Sequence, residues 1–485
     1  MAFSVRAVLA TLCALPLALG SYATSSNGGK CSASRYEAQP RAFICTDMSN
    51  EPDDQMSLVR LLTYSNEINI TAIAAVTSVW KNDTIDKETI GTVLGAYGGV
   101  VDNLNANLLD DAAAYPTGDY LLDRLVTGWP VYGLAAFDED GISTAAQKLI
   151  EEADESSAES PLWVALWGGA NVLAEALRNV SATRDAEAVD TFVSSLRVYS
   201  ISDQDNAGRW IRYNYPKLSF VVSLHGFSEY TEATWNGISG ELFRHFDKGG
   251  PDTSLVTNDW LQTHIRIGEL GQHYPNFSFI MEGDTPSFFP LIQNGLGDIE
   301  HPEWGSWGGR YIPADASGLS AVYADASDFV IGANGDTFYS GFASIWRWRQ
   351  AYQHDFAMRM GWTTGGFEEN NHAPVAVING SCGPTALQLD YTFGDSIVLD
   401  ASESWDPDGD DLTFEWLHYR EVVQRLEGEI SPVSENVTFT PSETQNGLVS
   451  ITPNDNITMH IILQVQDDRP MNVTTYRRII LNPVA

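Results

Sequence analysis

Positive charge is scarce in this chain. Its 485 residues include 27 Lys and Arg against 64 Asp and Glu, which gives a formal net charge of −37 at pH 7. Such a charge repels nucleic-acid phosphates and anionic lipid headgroups. We therefore expect neither a nucleic-acid polymer nor a membrane as a partner, and the composition leaves the oligomeric state open.

Cysteine is also scarce, with four residues in the whole chain. Cys13 lies in the apolar N-terminal run, so Cys31, Cys45 and Cys382 remain. This number allows one pair, of Cys31 with either Cys45 or Cys382. The spacing fits neither a zinc site nor a disulfide framework. The chain is therefore not a small scaffold held together by cystines.

Long apolar runs are missing after the N-terminal segment. That segment, MAFSVRAVLATLCALPLALGSYA, has a positive charge at Arg6, an apolar stretch and small residues before Ala23. It predicts a signal peptide over residues 1–23, and no later stretch is long and apolar enough to span a bilayer. We therefore expect a secreted, extracellular protein. Sequons for N-glycosylation, which would make it a glycoprotein, lie at Asn69, Asn82, Asn179, Asn276, Asn379, Asn436, Asn456 and Asn472.

The rest of the chain divides by its patterning. Residues 24–40 are rich in Ser and Gly and predict a flexible leader. Between residues 41 and 361, apolar strand-like runs alternate with runs of helical periodicity such as Trp260–Leu270. This alternation predicts a mostly parallel open sheet with helices on both faces. Residues 362–372 are typical of a linker. Short alternating strands from 373 to 485 predict an all-β, immunoglobulin-like sandwich.

Polar residues and glycines follow three predicted strands, Ala42–Thr46, Leu162–Trp167 and Phe277–Met281. Asp47, Asp53 and Asp54 follow the first, Gly168-Gly169-Ala170-Asn171 follows the second, and Asp284 follows the third. Taken singly, the aspartates also suit helix N-termini and the glycines suit a tight turn. In an open parallel sheet, however, ligands bind outside the carboxyl ends of the strands.

Several carboxylates at one sheet edge repel one another unless a cation neutralises them. Carboxylates and backbone carbonyls are also the ligands that calcium prefers. The sequence therefore predicts a calcium site at this edge.

These junctions resemble those of the nucleoside hydrolase superfamily. Cys45-Thr46-Asp47 followed by Asp53-Asp54 is similar to its D-T-D-x-G-x-D-D motif, with Cys45 in place of the first Asp and two more residues before Asp53. Gly168–Asn171 resembles its G-P-L-T-N helix start, and Gly283–Pro286 resembles its late H-D-P calcium ligand. The resemblance covers about residues 41 to 300, and Gly283 replaces the His that some members have.

The resemblance implies roles for individual residues. Asp47 would bind calcium and act as the base that activates water. Asp54, Asp284 and the backbone carbonyl of Ala170 would be further calcium ligands, and Asp53 would hold a ribose hydroxyl. Positions that would bind substrate, or form a polar loop instead, are Asn171, Asp203, Asp205 and Asn206.

Further candidates for substrate binding rest on side-chain chemistry. Trp304 and Trp307 lie on a Gly-rich stretch and could stack against sugar rings, although large aromatics also pack in cores. Arg310 could bind hydroxyls or a carboxylate. Either Glu282 or Asp203 could pair with Asp47 as the two carboxylates of an ordinary glycosidase.

The whole chain more closely resembles secreted proteins described as cellulose-binding, with a nucleoside hydrolase-like domain. The stretches that carry this resemblance are Ser49–Asp54, Tyr199–Asp205, Glu282–Ser287 and Trp304–Tyr311. The C-terminal part, with Asp406-Pro407-Asp408-Gly409-Asp410, also resembles a polycystic-kidney-disease-type module. An EF-hand loop is excluded because Glu415, six residues after Gly409, falls in a predicted strand, so we interpret this segment as a solvated turn.

Two functions fit these features. The first is a secreted, calcium-dependent hydrolase of N-glycosyl or related glycosyl bonds, with a sugar or nucleoside as substrate. The second is a non-catalytic protein that binds cellulose or another carbohydrate and keeps the nucleoside hydrolase fold. A purely structural cell-wall module is a third possibility.

Overall fold

The computed structural model describes residues 31, 39–109, 112–224, 230–277, 280–423 and 436–484. The predicted signal peptide, and the predicted leader apart from Cys31, Gln39 and Pro40, lie outside the described residues. Within the described ranges, no helix combines the length and the apolar character needed to cross a bilayer.

An eight-stranded sheet organises the first part of the chain. Its order is β3-β2-β1-β4-β5-β6-β8-β7, and every neighbouring pair is parallel except β7 with β8. The strands are β1 (Arg41–Thr46), β2 (Asn69–Ala75), β3 (Leu125–Thr127), β4 (Leu162–Leu166), β5 (Leu196–Ser200), β6 (Ser219–Val222), β7 (Tyr311–Pro313) and β8 (Val322–Asp325). A separate hairpin consists of β9 (Asp328–Ile331) and β10 (Thr337–Ser340).

Helices bury both faces of this sheet. Because successive side chains of a strand point to opposite faces, Ala42 and Ile44 of β1 enter one hydrophobic cluster, and Phe43 and Cys45 enter another. The helices are α1 (Asp53–Leu62), α2 (Lys87–Ala106), α3 (Gly118–Leu122), α4 (Thr144–Asp154), α5 (Asn171–Thr183), α6 (Ala186–Ser194), α7 (Ala207–Asn214), α8 (Glu241–Arg244), α9 (Asn258–His264), α10 (Gly268–Gly271), α11 (Ala343–Trp346) and α12 (Arg349–Trp362). Burial on both faces explains the nearly continuous apolar runs of the parallel strands.

Two sheets form the C-terminal part, in the orders β11-β17-β16-β13 and β12-β15-β14. All pairs are antiparallel except β11 with β17. The strands are β11 (Leu387–Tyr391), β12 (Ile397–Asp400), β13 (Leu412–His418), β14 (Val437–Pro441), β15 (Leu448–Pro453), β16 (Met459–Asp467) and β17 (Thr474–Pro483). Alternation along β16 sends Ile461 and Leu463 into the core of this part, whereas Ile462 packs into the α/β core.

The two parts are joined by polar as well as apolar contacts. Trp307 Nε1 donates to the hydroxyl of Tyr476 (3.2 Å), and the Tyr419 hydroxyl donates to Asp328 (2.6 Å). Both ends of the predicted linker are packed, since Trp362 and Thr363 are buried and the last residue, His372, is 1% exposed and stacks on Phe367. Between them, Thr364, Glu368 and Glu369 are exposed.

A disulfide joins Cys31 to Cys382, and Cys45 is a buried free thiol. One of the two pairings that the sequence allows is therefore formed. It connects the start of the described chain to the C-terminal part.

The predicted fold class is confirmed, and two local predictions are changed. Part of the predicted strand over 277–281 lies outside the described residues, namely 278 and 279, and its other three residues are not in a strand. The helical pattern from Trp260 to Leu270 is divided into α9 and α10. Gly268 starts α10 with a φ of +63°, a conformation that favours glycine and interrupts a continuous helix.

Candidate functional site

The acidic segment after β1 lies at the carboxyl edge of the sheet. β1 ends at Thr46, and the Asn50 N–H donates to the Asp47 carbonyl (3.2 Å) in the turn beyond it. α1 then begins at Asp53 without a side-chain cap. Asp53 and Asp54 therefore lie in its first turn, where the helix dipole favours negative charge. The helix-start interpretation and the ligand-site interpretation describe the same residues.

The strand order places this segment at the point where the sheet reverses direction. β1 and β4 are neighbours, with β2 and β3 on one side of the pair and β5 and β6 on the other. The loops after β1 and β4 therefore leave in opposite directions and open a crevice, the usual ligand site of such sheets. Asp47 follows β1 at this crevice, and Gly168 follows β4.

Glycines allow the carboxylates to approach their neighbours closely. A Cβ on Gly168 would lie 2.8 Å from Asp47 Oδ1, and a Cβ on Gly283 would lie 2.7 Å from Asp53 Oδ2. Side chains do not tolerate such separations, so alanine at either position would push a carboxylate away. Gly168 after β4 and Gly283 before Asp284 therefore serve the site as well as their turns.

Three carboxylates converge within this crevice. One oxygen each from Asp53, Asp54 and Asp284 lies within 4.8 Å of the others, and all three side chains are buried. Asp284 Oδ2 and Asp47 Oδ2 are buried without a hydrogen-bond partner. Buried oxygens without donors are costly. Because all the converging donors are oxygens, the set fits a hard divalent cation such as calcium.

Burial and mutual repulsion disturb the acidity of these groups. Burial, with the charges of Glu51 and Asp47, raises the pKa of Asp53 to about 8. Burial and the neighbouring aspartates raise the pKa of Asp54 and of Asp284 well above the usual range. Without a cation the cluster would therefore retain protons, whereas a bound cation would favour the ionised carboxylates.

Asp47 has a different environment from the converging three. It is 2% exposed, and burial raises its pKa to about 6, against the lowering effects of the Ser78 hydroxyl and the positive charge of Lys81. Lys81 Nζ donates to the carbonyl of Met48 (2.5 Å), directly after Asp47. Without a cation, Asp47 would therefore hold a proton more tightly than an exposed aspartate does.

A second polar group lies beside the crevice, after β4 and β5. Asn171 Nδ2 donates weakly to Thr77 Oγ1 (3.3 Å), and its Oδ1 is buried without a partner. Asp205 accepts from the Ala207 N–H (2.8 Å) through Oδ1, while its Oδ2 is buried without a partner. Burial raises the pKa of Asp205 to about 6. A Cβ on Gly169 would collide with this carboxylate.

Known families match both parts of the chain. Residues 41–311 match the family described as cellulose-binding Sde182, nucleoside hydrolase-like domain, and residues 396–483 match the C-terminal domain of cellulose-binding protein Sde0182. The chain belongs to the cellulose-binding Sde182 family. A comparison with curated proteins found no match.

A solved structure resembles this Sde182 family member over nearly its whole length. It is a nucleoside hydrolase-related hypothetical protein from Saccharophagus degradans, described as associated with carbohydrate metabolism. Its identity is 30% and its TM-score 0.71, over 92% of this chain and 100% of that chain. The effector protein XOO4466 also matches, at 11% identity and a TM-score of 0.29, over 62% of this chain and 90% of that one; that similarity is too low to support an argument.

Other residues that the sequence singled out are engaged elsewhere in this family member. Asp203 forms a two-point ion pair with Arg212 of α7, in which Arg212 Nη1 lies 2.8 Å from Asp203 Oδ1. Asn206 is exposed and accepts from the Leu134 N–H (2.9 Å). The Ala170 carbonyl accepts from the Ala174 N–H (3.0 Å) as the first bond of α5.

Glu282 is completely buried, and both of its carboxylate oxygens accept hydrogen bonds. Arg60 Nη2 donates to its Oε1 (3.0 Å), the Tyr274 hydroxyl to the same oxygen (2.6 Å), and Thr285 Oγ1 to Oε2 (2.9 Å). Its side chain therefore anchors the turn that carries Asp284 and has no oxygen open to a substrate.

The tryptophans of the Gly-rich stretch face the C-terminal part. Trp307 is 1% exposed and packs against Phe289, Tyr352 and Tyr476. Trp304 is half-buried and stacks on His301 at 4.1 Å. Arg310 is buried and pairs with Asp328 (Nε to Oδ1, 2.7 Å). The ring of Trp307 therefore has no face open to a sugar.

The loop after β2 contributes residues that the sequence analysis did not select. Ser78 and Lys81 act on Asp47, and between them Trp80 is 56% exposed. Glu51 also belongs to the group, since its charge acts on Asp53. The signal in the sequence is the position of the polar S-V-W-K segment, which closely follows the carboxyl end of a buried strand, β2.

Proposed function

We propose that this protein is a secreted, calcium-dependent hydrolase of N-glycosyl or related glycosyl bonds. The observation that supports the proposal most strongly is the convergence of Asp53, Asp54 and Asp284 beside Asp47, with unpartnered oxygens on Asp284 and Asp47. A buried group of this kind is expensive for the fold unless it binds something.

The proposed roles follow from the environments of the side chains. Asp53, Asp54 and Asp284 would hold the calcium ion, with Asp47 Oδ2 as a further donor. When bound, calcium would neutralise these carboxylates and bind oxygen atoms of the substrate and water. Asp47 accepts a proton from the attacking water, and Ser78 and Lys81 stabilise its ionised form beforehand.

The substrate would approach from the side of the loops after β2, β4 and β5. Asn171 and Asp205 offer oxygens without hydrogen-bond partners there, which suits them to sugar hydroxyls. Trp80 has an exposed aromatic surface next to Ser78 and Lys81, which suits it to stacking on a ring. Among the residues that the structure describes, we assign no acid to the leaving group, so the proposal covers glycosyl bonds with leaving groups that need little protonation.

The first test is metal analysis of the purified protein, followed by a screen of nucleosides and glycosides with and without a chelator. Asp47→Asn should lower turnover by about 10²–10⁴-fold, the usual contribution of a positioned base, with an unchanged circular dichroism spectrum. Asp140→Asn removes an exposed carboxylate and serves as the matched control. Absence of bound calcium together with absence of turnover on every substrate would refute the proposal.

A second function, carbohydrate binding without catalysis, is favoured by the family description and by the exposed Trp80. In a cellulose pull-down, such a binder should keep its affinity in Asp47→Asn and lose it in Trp80→Ala. Tyr213→Ala is the control, because Tyr213 is 85% exposed and lies near the end of α7, at the opposite edge of the sheet. Turnover that depends on Asp47 would exclude this alternative.

A further inference from the structure

A second group of aspartates lies in the C-terminal part, in the turn before β13. Oxygens of Asp406, Asp408 and Asp410 all lie within 4.8 Å of one another. The Asp406 Oδ1 atom accepts from the Asp408 N–H (2.8 Å) and the Asp410 N–H (3.3 Å), and Gly409 has a φ of +83°. These hydrogen bonds from backbone N–H groups of the turn to the Asp406 side chain therefore help to hold the three carboxylates close together.

One carboxylate of this turn is buried, contrary to the interpretation of the segment as a solvated turn. Asp406 is 8% exposed, and its Oδ2 is buried without a hydrogen-bond partner. In the described part of the chain, no salt bridge involves Asp406, whereas Asp408 contacts His372 and Asp410 contacts Arg469. Arg469 pairs with Asp410, and its charge also acts on Asp406, but Asp406 Oδ2 itself accepts no hydrogen bond. A buried carboxylate oxygen without a donor is destabilising unless a ligand satisfies it.

The segment between the two parts of the chain passes directly beside this turn. The His372 N–H donates to Asp408 Oδ2 (2.8 Å), and Nδ1 of the same residue lies 2.8 Å from Asp408 Oδ1. Asn371 Nδ2 donates to Asp467 (2.8 Å), at the end of β16, and its Oδ1 is also buried without a partner. Unsatisfied oxygens therefore lie on both the turn and the linker.

We propose that Asp406, Asp408 and Asp410 form a second calcium site, which fixes the segment Asn371–His372 to the C-terminal part. All three donors are carboxylate oxygens, the set preferred by a hard cation that accepts irregular geometry. The ion would satisfy Asp406 Oδ2 and offset the repulsion among the three carboxylates. The proposal is independent of the hydrolase, since these residues lie outside the crevice of the α/β part.

The test is calcium titration of the full-length, chelator-treated protein by isothermal calorimetry. Asp406→Asn should bind one calcium ion fewer than the wild-type chain, or should bind the calcium ion at this second site at least tenfold less tightly. Asp411→Asn, which removes the exposed neighbouring carboxylate, should behave as wild type. Equal stoichiometry and affinity in wild type and Asp406→Asn would overturn the proposal.

A second variant keeps the test valid if Asp406→Asn does not fold. Asp410 is only partly buried, so Asp410→Asn should fold and show the same deficit in calcium. The Asp54→Asn variant lacks a proposed ligand of the crevice, so it should still bind one calcium ion, at the second site. The double variant with Asp54→Asn and Asp410→Asn should bind none. If the crevice binds no calcium, wild type and Asp54→Asn would instead bind the same amount of calcium, a result that counts against the hydrolase proposal and leaves the second site intact.

Discussion

The buried pair of Arg60 and Glu282 provides a sharp test of how the site is supported. Both side chains are 0% exposed. Arg60 also donates to the Tyr352 carbonyl (2.8 Å) and lies over the ring of Phe356 at 4.0 Å. Glu282 has a φ of +55°, an uncommon conformation that its contacts must maintain. The pair therefore fixes the turn that presents Asp284.

Glu282→Gln keeps the shape of the side chain and removes its charge. Opposite charges about 4 Å apart attract by about 4 kcal/mol at an effective dielectric constant of about 20. Removing one partner of a buried pair costs about 3–5 kcal/mol, because the other charge is left uncompensated. We therefore expect Glu282→Gln to lower the free energy of unfolding by about 3–5 kcal/mol, measured by chemical denaturation.

A matched control is available on the surface. Arg184 and Asp154 form a similar two-point pair (2.6 and 2.7 Å), but their side chains are 28% and 45% exposed. Asp154→Asn should therefore change stability by no more than about 1 kcal/mol. A loss below about 1 kcal/mol in Glu282→Gln as well would refute the reasoning that this pair holds the turn.

Three further predictions concern packing and covalent structure. Gly283→Ala should weaken calcium binding at least tenfold in calorimetry, because its Cβ would displace Asp53, whereas Gly95→Ala, at an exposed helical position with no neighbour within 4 Å, should not. Trp307→Ala should lower the free energy of unfolding by about 3–5 kcal/mol, and a loss below about 1 kcal/mol would contradict its role between the two parts. Cys382→Ser should lower it by about 2–5 kcal/mol, and a reductant should then have no further effect on the mutant.

Local signals in the sequence predicted much of the fold because each of them lies within a single strand, turn or helix. The apolar run that ends at Thr46, the acidic first turn at Asp53 and the paired glycines after β4 each specify where a strand ends and how the next helix begins. Since parallel strands share one carboxyl edge, these signals were enough to place Asp54 and the paired glycines at the same crevice. Asp284 lies there too, but it lies in a turn and does not follow the strand that the sequence predicted.

Contacts between residues that are far apart in the sequence could not be predicted from such local signals. Arg60 and Glu282 are 222 positions apart, and neither has a local feature that indicates the other. The Gly-rich stretch left two interpretations of Trp307 open, a ring that stacks on sugars and a ring in the core, because its partner Tyr476 lies 169 positions further along the chain. The short apolar segment around Met281 resembled a strand because it is buried, whereas its burial comes from packing rather than from a ladder.

The cystine between Cys31 and Cys382 has a consequence for the outcome of proteolysis. Its half-cystines are 351 positions apart, so the covalent ring encloses the whole α/β part. A single proteolytic cut anywhere within that ring would leave both pieces attached to each other until the bond was reduced. Loops of the ring can therefore be nicked by a protease without shedding a fragment, and the two pieces would separate on a reducing gel but not on a non-reducing one.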